Sequence, residues 1–434
     1  MDPIIVGALG LLFLLVFIFL GVPLPVTFFI IGFLGVTWIQ GWGHALAVAR
    51  LFPFTTINSF EWSVIPLFTM MGLILFECLI GEEIFRAVRQ WMGHFRGGIA
   101  AATSAACAVI GTTTGSATAT TALMSKVAYP EMRKYDYEPD LSLAVCAASG
   151  TVAVMIPPSV VLVVYAIIAE TSVGQCLLGG LLPGFLSMAI YMAMIFIRVQ
   201  FDPRLGPPQP AASWRERFTS LRYLIPAAIM LVTIVGGIYF GVFTATEAAG
   251  MGCVIAFVVV LAMRRLTWSR LKNMIFETAR LNIMIMLILM TCMGIYVKFL
   301  SISGITAAIA EMALGFPSPW ITLTLMFAIM FLFGMFIGGP LMYVTVPMFA
   351  PVVVDMGYSL VWFGILMIKM VEVGAITPPV CVTTFVAQGV IGEVPMSRAY
   401  KAVSWFVFCD ILTLVLLIAF PQITMLLPNA GRPA

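Results

Sequence analysis

Apolar residues run in blocks of 17 or more along nearly the whole chain, separated by short polar or basic stretches. Blocks of that length predict membrane-crossing helices. Spans are expected near 4–20, 23–39, 63–80, 141–168, 176–198, 223–241, 246–263, 281–297, 359–390 and 402–427. Two further apolar regions, 98–126 and 319–350, read as helix–break–helix. The first block follows Asp2, with no Lys or Arg before it and no small-x-small cleavage site after it, so it is expected to be a membrane helix rather than a signal peptide.

Basic residues orient these spans, because Lys and Arg concentrate in cytoplasmic loops. Arg86, Arg89 and Arg96 lie in 81–97, and Lys126, Arg133 and Lys134 in 126–140. A single crossing at 98–126 would put those two loops on opposite sides. A re-entrant hairpin puts them on the same side, together with 198–222, 264–280 and 391–401. The five segments then hold eighteen of the 22 basic residues. The flanks of 319–350 contain no Lys or Arg, so the second hairpin is expected to open from the opposite face, with both termini periplasmic.

Composition narrows the function. The chain is 62% hydrophobic and 9% charged, against roughly 25% charged in a soluble domain. It cannot supply a polar coat, and 1–434 is expected to be a single integral membrane domain. The net charge of +3 sits in short loops, which implies no nucleic-acid partner. The eight cysteines lie in or at the ends of apolar runs without a C-x-x-C pair, and read as small buried residues. His44 and His94 lie outside the spans, and the spans offer no paired acids at helical spacing. No phosphate-binding loop is present. An intramembrane enzyme and an ATP-driven pump of that kind are both disfavoured.

One internal offset stands out. Pro130, Tyr137, Pro157 and Pro158 recur 221 residues later as Pro351, Tyr358, Pro378 and Pro379. Each set follows a hairpin and ends in a Pro-Pro step that interrupts a helix. Five crossings separate the hairpins, so the second copy is expected to be inverted, an architecture that places substrate and ions near the midplane. The fold expected is all-α and polytopic, with two re-entrant hairpins and two broken helices. Residues 1–80 and 199–280 form scaffold, 98–198 the first transport repeat and 281–427 the second.

The breaks and hairpin tips hold the candidate chemistry. Carbonyls freed near Ser149-Gly150-Thr151 and Gly374-Ala375-Ile376-Thr377 are tolerated at membrane depth only where protein, water or an ion satisfies them. Their oxygens suit Na+; a plain proline kink is the alternative. The first tip, Gly111 to Thr118, combines two glycines with five hydroxyls, a composition that also favours close helix packing. The second tip, Gly338-Gly339-Pro340, supplies backbone groups, with Ser301 and Ser303 in the preceding loop as weaker hydroxyl donors. Ionisable groups in spans cost about 2.5–3.5 kcal/mol each. Lys369 and Glu372 share a helix face and are expected to pair and steady the second break, with a proton relay or a substrate contact as the other readings. Glu77, Glu247 and Asp410 are not assigned.

These residues resemble the large (DctM-like) membrane subunit of the tripartite ATP-independent periplasmic (TRAP) transporters. The resemblance is carried by Gly115-Ser116, Ala148 through Ser159, Tyr165, Leu182-Pro183-Gly184, Gly241 through Ala248, and Gly364 through Pro379. It implies an elevator-type, Na+-coupled subunit in a bacterial inner membrane. It further implies two partners, a small four-helix membrane subunit and a periplasmic binding protein that delivers an organic acid, often a carboxylate or sugar acid. By position it implies one Na+ site at Thr112, Gly115, Ser116, Gly150 and Thr151, and another at Gly338, Gly374 and Thr377. The chain departs from the family pattern at Gly338, where an acid is frequent, at Ala153, where glycine is usual, and at Cys381 and Thr383, where Gly and Asn are common. A stand-alone Na+-coupled carrier of the same superfamily, without a binding protein, is the alternative function.

Overall fold

The computed structural model describes residues 2–78, 80–337 and 341–431, and they form helices joined by short turns, with no strand. Among the described residues, six helices are long and apolar enough to cross a membrane, or up to eight if two bent pairs count as single spans. One bent pair is Pro139–Met155 with Val160–Ile168, turned by 49°.

The centre of the molecule is made of two helices with no exposed face. Every residue from Leu141 to Met155 is buried, as is every residue from Val361 to Gly374. A helix buried all round needs neighbours on every side. Around Pro139–Met155 those neighbours are Gly98–Thr114, Ala117–Lys134, Val382–Ile391, Met396–Ala419 and Val173–Phe201. Small residues allow close approach. A Cβ at Gly111 would lie 2.8 Å from Ala153 Cα, and one at Gly184 2.5 Å from an Ile156 side-chain carbon. A second group of helices, Pro3–Phe19, Leu24–Gln40 and Thr291–Ser303, packs together. There Gly32 meets the Tyr296 backbone so closely that an added Cβ would lie 2.8 Å from it.

The five basic segments come together at one end of the molecule. Arg89 pairs with Glu131, and Arg265 with Glu83. Arg133 Nη2 lies 3.0 Å from Glu393, and Arg398 Nε donates to Asp140 over 2.8 Å. Trp91 Nε1 donates to the Arg217 carbonyl. The chain therefore enters 98–134 and leaves it at the same end, with Gly115-Ser116 as its turn. The segments flanking 319–350 lie elsewhere. Ser301, Pro351 and Asp355 surround a cavity of about 770 Å³ together with Trp62, Glu170 and Lys298.

Several expected boundaries need correction. Segment 40–62, outside the expected spans, contains the helix Trp42–Asn58, whose Phe52 ring covers Gly294. Segment 81–97 contains the amphipathic helix Ile80–Met92, which buries Ile80, Ile84, Phe85 and Val88. Segment 299–318 contains Ile305–Leu314. The span expected at 281–297 belongs to one unbroken run, Trp268–Ser303, with no proline to stop it. The span at 402–427 ends at Ala419, because Pro421 cannot continue the helix, and resumes as Gln422–Ala430.

Candidate translocation site

The first hairpin turns where the sequence allows a left-handed residue. Gly115 has φ +57°, and an added Cβ would sit 2.6 Å from the Pro158 carbonyl oxygen. The tip is thus pressed against the first break. Ser116 caps the returning arm, its Oγ accepting from Ala119 N at 3.4 Å. In the break itself Ile156 is extended, with φ −86° and ψ 127°, and Ser159 caps the next helix through Leu162 N. Gly150 faces Thr121 in the returning arm, where an added Cβ would come within 3.0 Å of the Thr121 nitrogen. Thr112, one turn before Gly115, is buried and donates to the Val109 carbonyl, and Thr151 donates to the Ala148 carbonyl. Of the five residues expected at this site, Gly115, Ser116 and Thr151 share one cavity wall.

The second break has a comparable build. Thr377 is extended at φ −91° and ψ 133°, and its hydroxyl donates to the Val373 carbonyl over 2.6 Å. Gly374 lies against Gly334 of the helix Pro319–Ile337, with an added Cβ 2.5 Å from the Gly334 oxygen. Val380 N donates to the Met335 carbonyl, a further tie between that helix and the break. Gly338 lies outside the described residues. Both Pro-Pro bonds, 157–158 and 378–379, are cis. Two departures from the family pattern lie at this break. Thr383 Oγ1 donates across the break to the Ala375 carbonyl at 3.0 Å, and Cys381 holds φ +27°, a backbone shape that favours glycine.

Hairpin tip and breaks converge on a cavity of about 530 Å³. Its lining includes Thr114 to Ala119 from the tip, Thr151 from the first broken helix, and Glu372, Ala375 and Thr383 from the second. The opposite wall is made by Thr69, Gly72, Leu73 and Phe76, with Leu281 and Ile285 from a run that is locally π-helical over Ile283–Met290. Gly72 lets the tip approach, since an added Cβ would lie 3.0 Å from the Thr113 oxygen.

Behind the cavity lies a buried charge cluster. Lys369 Nζ is 2.9 Å from Glu372 Oε2, as the i, i+3 spacing predicted. It is also 2.6 Å from Asp410 Oδ1 and 3.0 Å from Ser187 Oγ, while the Tyr191 hydroxyl donates to Asp410 at 2.6 Å. Sequence reasoning left Asp410 unassigned and did not single out Ser187 or Tyr191. A lone acid in the apolar run 402–427 needed a buried cation, and Lys369 was the available one. Pairing at this depth lowers the cost of ionised groups in lipid. The cluster joins three helices: Val173–Phe201, Leu360–Ile376 and Met396–Ala419.

The remaining candidates are placed plainly. Ser301 and Ser303 belong to the last turn of Thr291–Ser303 rather than to a loop. Ser303 is buried and closes that turn, donating to the Leu300 carbonyl and accepting from Ile305 N. Ser301 lines the cavity of about 770 Å³ rather than the one at the hairpin tip. Glu247 forms a capping box with Thr244, its Oε2 accepting from Thr244 N at 2.9 Å. Tyr165 donates to the Leu360 carbonyl at 2.7 Å and lies against Gly364, joining the two broken helices.

A helical hairpin and two interrupted helices around one largely apolar cavity, inside an apolar bundle, fit a multi-pass membrane transporter. The chain belongs to the TRAP transporter large-permease family: residues 11–423 match the Tripartite ATP-independent periplasmic transporter, DctM component. It is 31% identical over 380 residues to the C4-dicarboxylate TRAP transporter large permease protein DctM of Pseudomonas aeruginosa, covering 87% of this chain and 88% of that protein. The ectoine TRAP transporter large permease protein TeaC of Halomonas elongata is likewise 31% identical, over 84% of this chain and 85% of its own length. The sialic acid TRAP transporter permease protein SiaT of Haemophilus influenzae is 26% identical over 98% of this chain and 68% of its own. Among solved structures, the Alcanivorax borkumensis YdaH transporter superposes with a TM-score of 0.62 over 88% of this chain and 90% of that one, at 15% identity. That likeness concerns the fold. The relatives are transport permeases rather than enzymes, and the chain is a multi-pass inner-membrane protein of the same kind.

Proposed function

We propose that this chain is the large transmembrane subunit of a Na+-coupled TRAP importer for a small organic acid. The cargo is handed over by a periplasmic binding protein, and a separate four-helix subunit completes the membrane complex. The observation that carries the reading is the meeting of the first hairpin tip with both broken helices on one cavity. The 221-residue offset supports two inverted copies, since Pro157-Pro158 and Pro378-Pro379 occupy equivalent breaks, each beside a hairpin arm. In this reading the basic end of the molecule is cytoplasmic. The cavity then faces the cytoplasmic half of Phe60–Glu77, and an elevator movement of the hairpin and broken-helix unit carries it to the other side.

Na+ is the coupling ion that the donors fit. Thr112, Thr151 and Thr377 each give their hydroxyl proton to a carbonyl three or four residues back. Each oxygen keeps a lone pair to offer a cation. Unwound carbonyls beside them supply the rest of a hard-oxygen site. Each positive charge moving inward gains about 2.3 kcal/mol per 100 mV, so two or more Na+ per monoanionic cargo drive net uptake.

The test is reconstitution of the chain with its small subunit and binding protein in liposomes. Uptake is expected to require an inward Na+ gradient. Thr377→Ala is expected to raise the half-saturating Na+ concentration at least about tenfold, the loss of one charge-assisted ligand, at unchanged protein yield. Uptake indifferent to Na+ contradicts the coupling, and unchanged Na+ affinity in the variant removes Thr377 from the site.

A further inference from the structure

The charges around the 530 Å³ cavity are of one sign. No Lys or Arg is among its described lining residues. Arg280, one residue before the lining Leu281, is exposed and lies 3.6 Å from Glu277. Lys369 is spent: its three donors match three oxygens, on Glu372, Asp410 and Ser187. Nothing basic in the described lining is left for a cargo carboxylate.

Glu372 is the one ionisable residue in the described lining. Its Oε2 holds Lys369, but Oε1 is buried without a hydrogen-bond partner among the described residues. The cluster behind it sets two carboxylates against one ammonium. A buried acceptor left open costs about 1–3 kcal/mol, and more when charged. A cationic donor on the cargo removes that cost. Much of the rest of the described wall is apolar, with Val154, Val160, Val161, Val371 and Val382. Thr69, Thr114, Thr151 and Thr383 already donate to backbone carbonyls. That leaves the hydroxyls of Ser116 and Thr118 beside the start of the helix Ala117–Lys134, where free N–H groups favour an anion.

Building on the transporter reading above, we propose that the cargo is a small zwitterion. Its ammonium- or amidinium-type group meets Glu372 Oε1, and its acid group meets the Ser116 and Thr118 hydroxyls and the free N–H groups of Ala117 and Thr118 at the helix start. Dicarboxylates are poor cargo, because a second carboxylate would face Glu372 with no cation between them. A volume of about 530 Å³ suits a molecule of this size.

Matched solutes test this. The chain, co-purified with its small subunit, is heated in detergent with saturating Na+ and one solute at a time. γ-Aminobutyrate is compared with succinate, taurine with isethionate, and ectoine serves as a cyclic zwitterion. At least one zwitterion is expected to raise Tm by several degrees while its matched anion does not. Glu372→Gln is expected to weaken that zwitterion at least about tenfold, with the stabilisation by Na+ alone retained; glutamine keeps an oxygen for Lys369. Preference for the anion of either pair, or no response to any zwitterion, overturns the proposal. So does a Glu372→Gln variant that loses its Na+ response, because Glu372 then holds a coupling ion. The comparison of solutes on the unaltered chain does not depend on how the variant folds. Na+-dependent stabilisation by succinate sinks the zwitterion and leaves the coupled transporter standing. Stabilisation by a zwitterion indifferent to Na+ sinks the coupling and leaves the cargo class standing.

Discussion

Lys369→Met is expected to abolish folding of the transporter, not merely to slow it. The substitution leaves Glu372 and Asp410 buried with no cation, where Lys369 now lies within 2.9 Å and 2.6 Å of their oxygens. Removing one partner of a buried ion pair costs about 3–5 kcal/mol. The measurement is the yield of monodisperse protein and its melting temperature in detergent. Adding Glu372→Gln and Asp410→Asn to the Lys369→Met chain removes the stranded charges, and is expected to restore yield without restoring uptake. Normal yield of Lys369→Met alone would mean that the cluster does not hold the three helices together.

The second large effect is expected from Gly115→Ala. Alanine there meets two penalties. A residue with a Cβ disfavours the left-handed φ of +57° by roughly 1–2 kcal/mol, and the new carbon would stand 2.6 Å from the Pro158 oxygen. That oxygen belongs to the backbone of the break and cannot swing aside as a flexible side chain would. The tip must lift from the broken helix, so uptake is expected to fall more than about tenfold, the factor that a 1.4 kcal/mol displacement produces. Insertion should persist, because the arms Gly98–Thr114 and Ala117–Lys134 keep their own packing. Undiminished uptake by the Gly115→Ala chain would detach the tip from the translocation step.

Prolines and glycines made the first hairpin and the two breaks legible in the sequence, since each interrupts a helix for a stated steric reason. Gly115 next to Ser116, and the two Pro-Pro steps, fall where the structure turns. The charge cluster was half legible. Lys369 and Glu372 are neighbours on one helix turn, but Asp410 comes from a different helix and Ser187 from a third, and spacing cannot join them. Helix Trp42–Asn58 escaped because His44, Arg50 and Pro53 break up its apolar run. Helix Ile80–Met92 escaped because its buried positions recur every three or four residues while the segment as a whole is charged; a test for that period would have found it. Residues 338–340 lie outside the described residues, so two of the three residues of the second expected Na+ site, Gly374 and Thr377, are placed.

One labelling experiment bears on the central claim most directly, that the turn of the first hairpin and both interrupted helices enclose a cavity that moves cargo through the membrane. Thr118 lines that cavity and is exposed to it. A chain whose eight native cysteines are replaced, and which carries Thr118→Cys, is treated with a membrane-impermeant maleimide in vesicles of each orientation. The account predicts modification from the cytoplasmic side, slowed by Na+ together with cargo, and slower modification from the periplasmic side at a rate that follows turnover. Rapid modification from the periplasmic side, unaffected by Na+ and cargo, would contradict it.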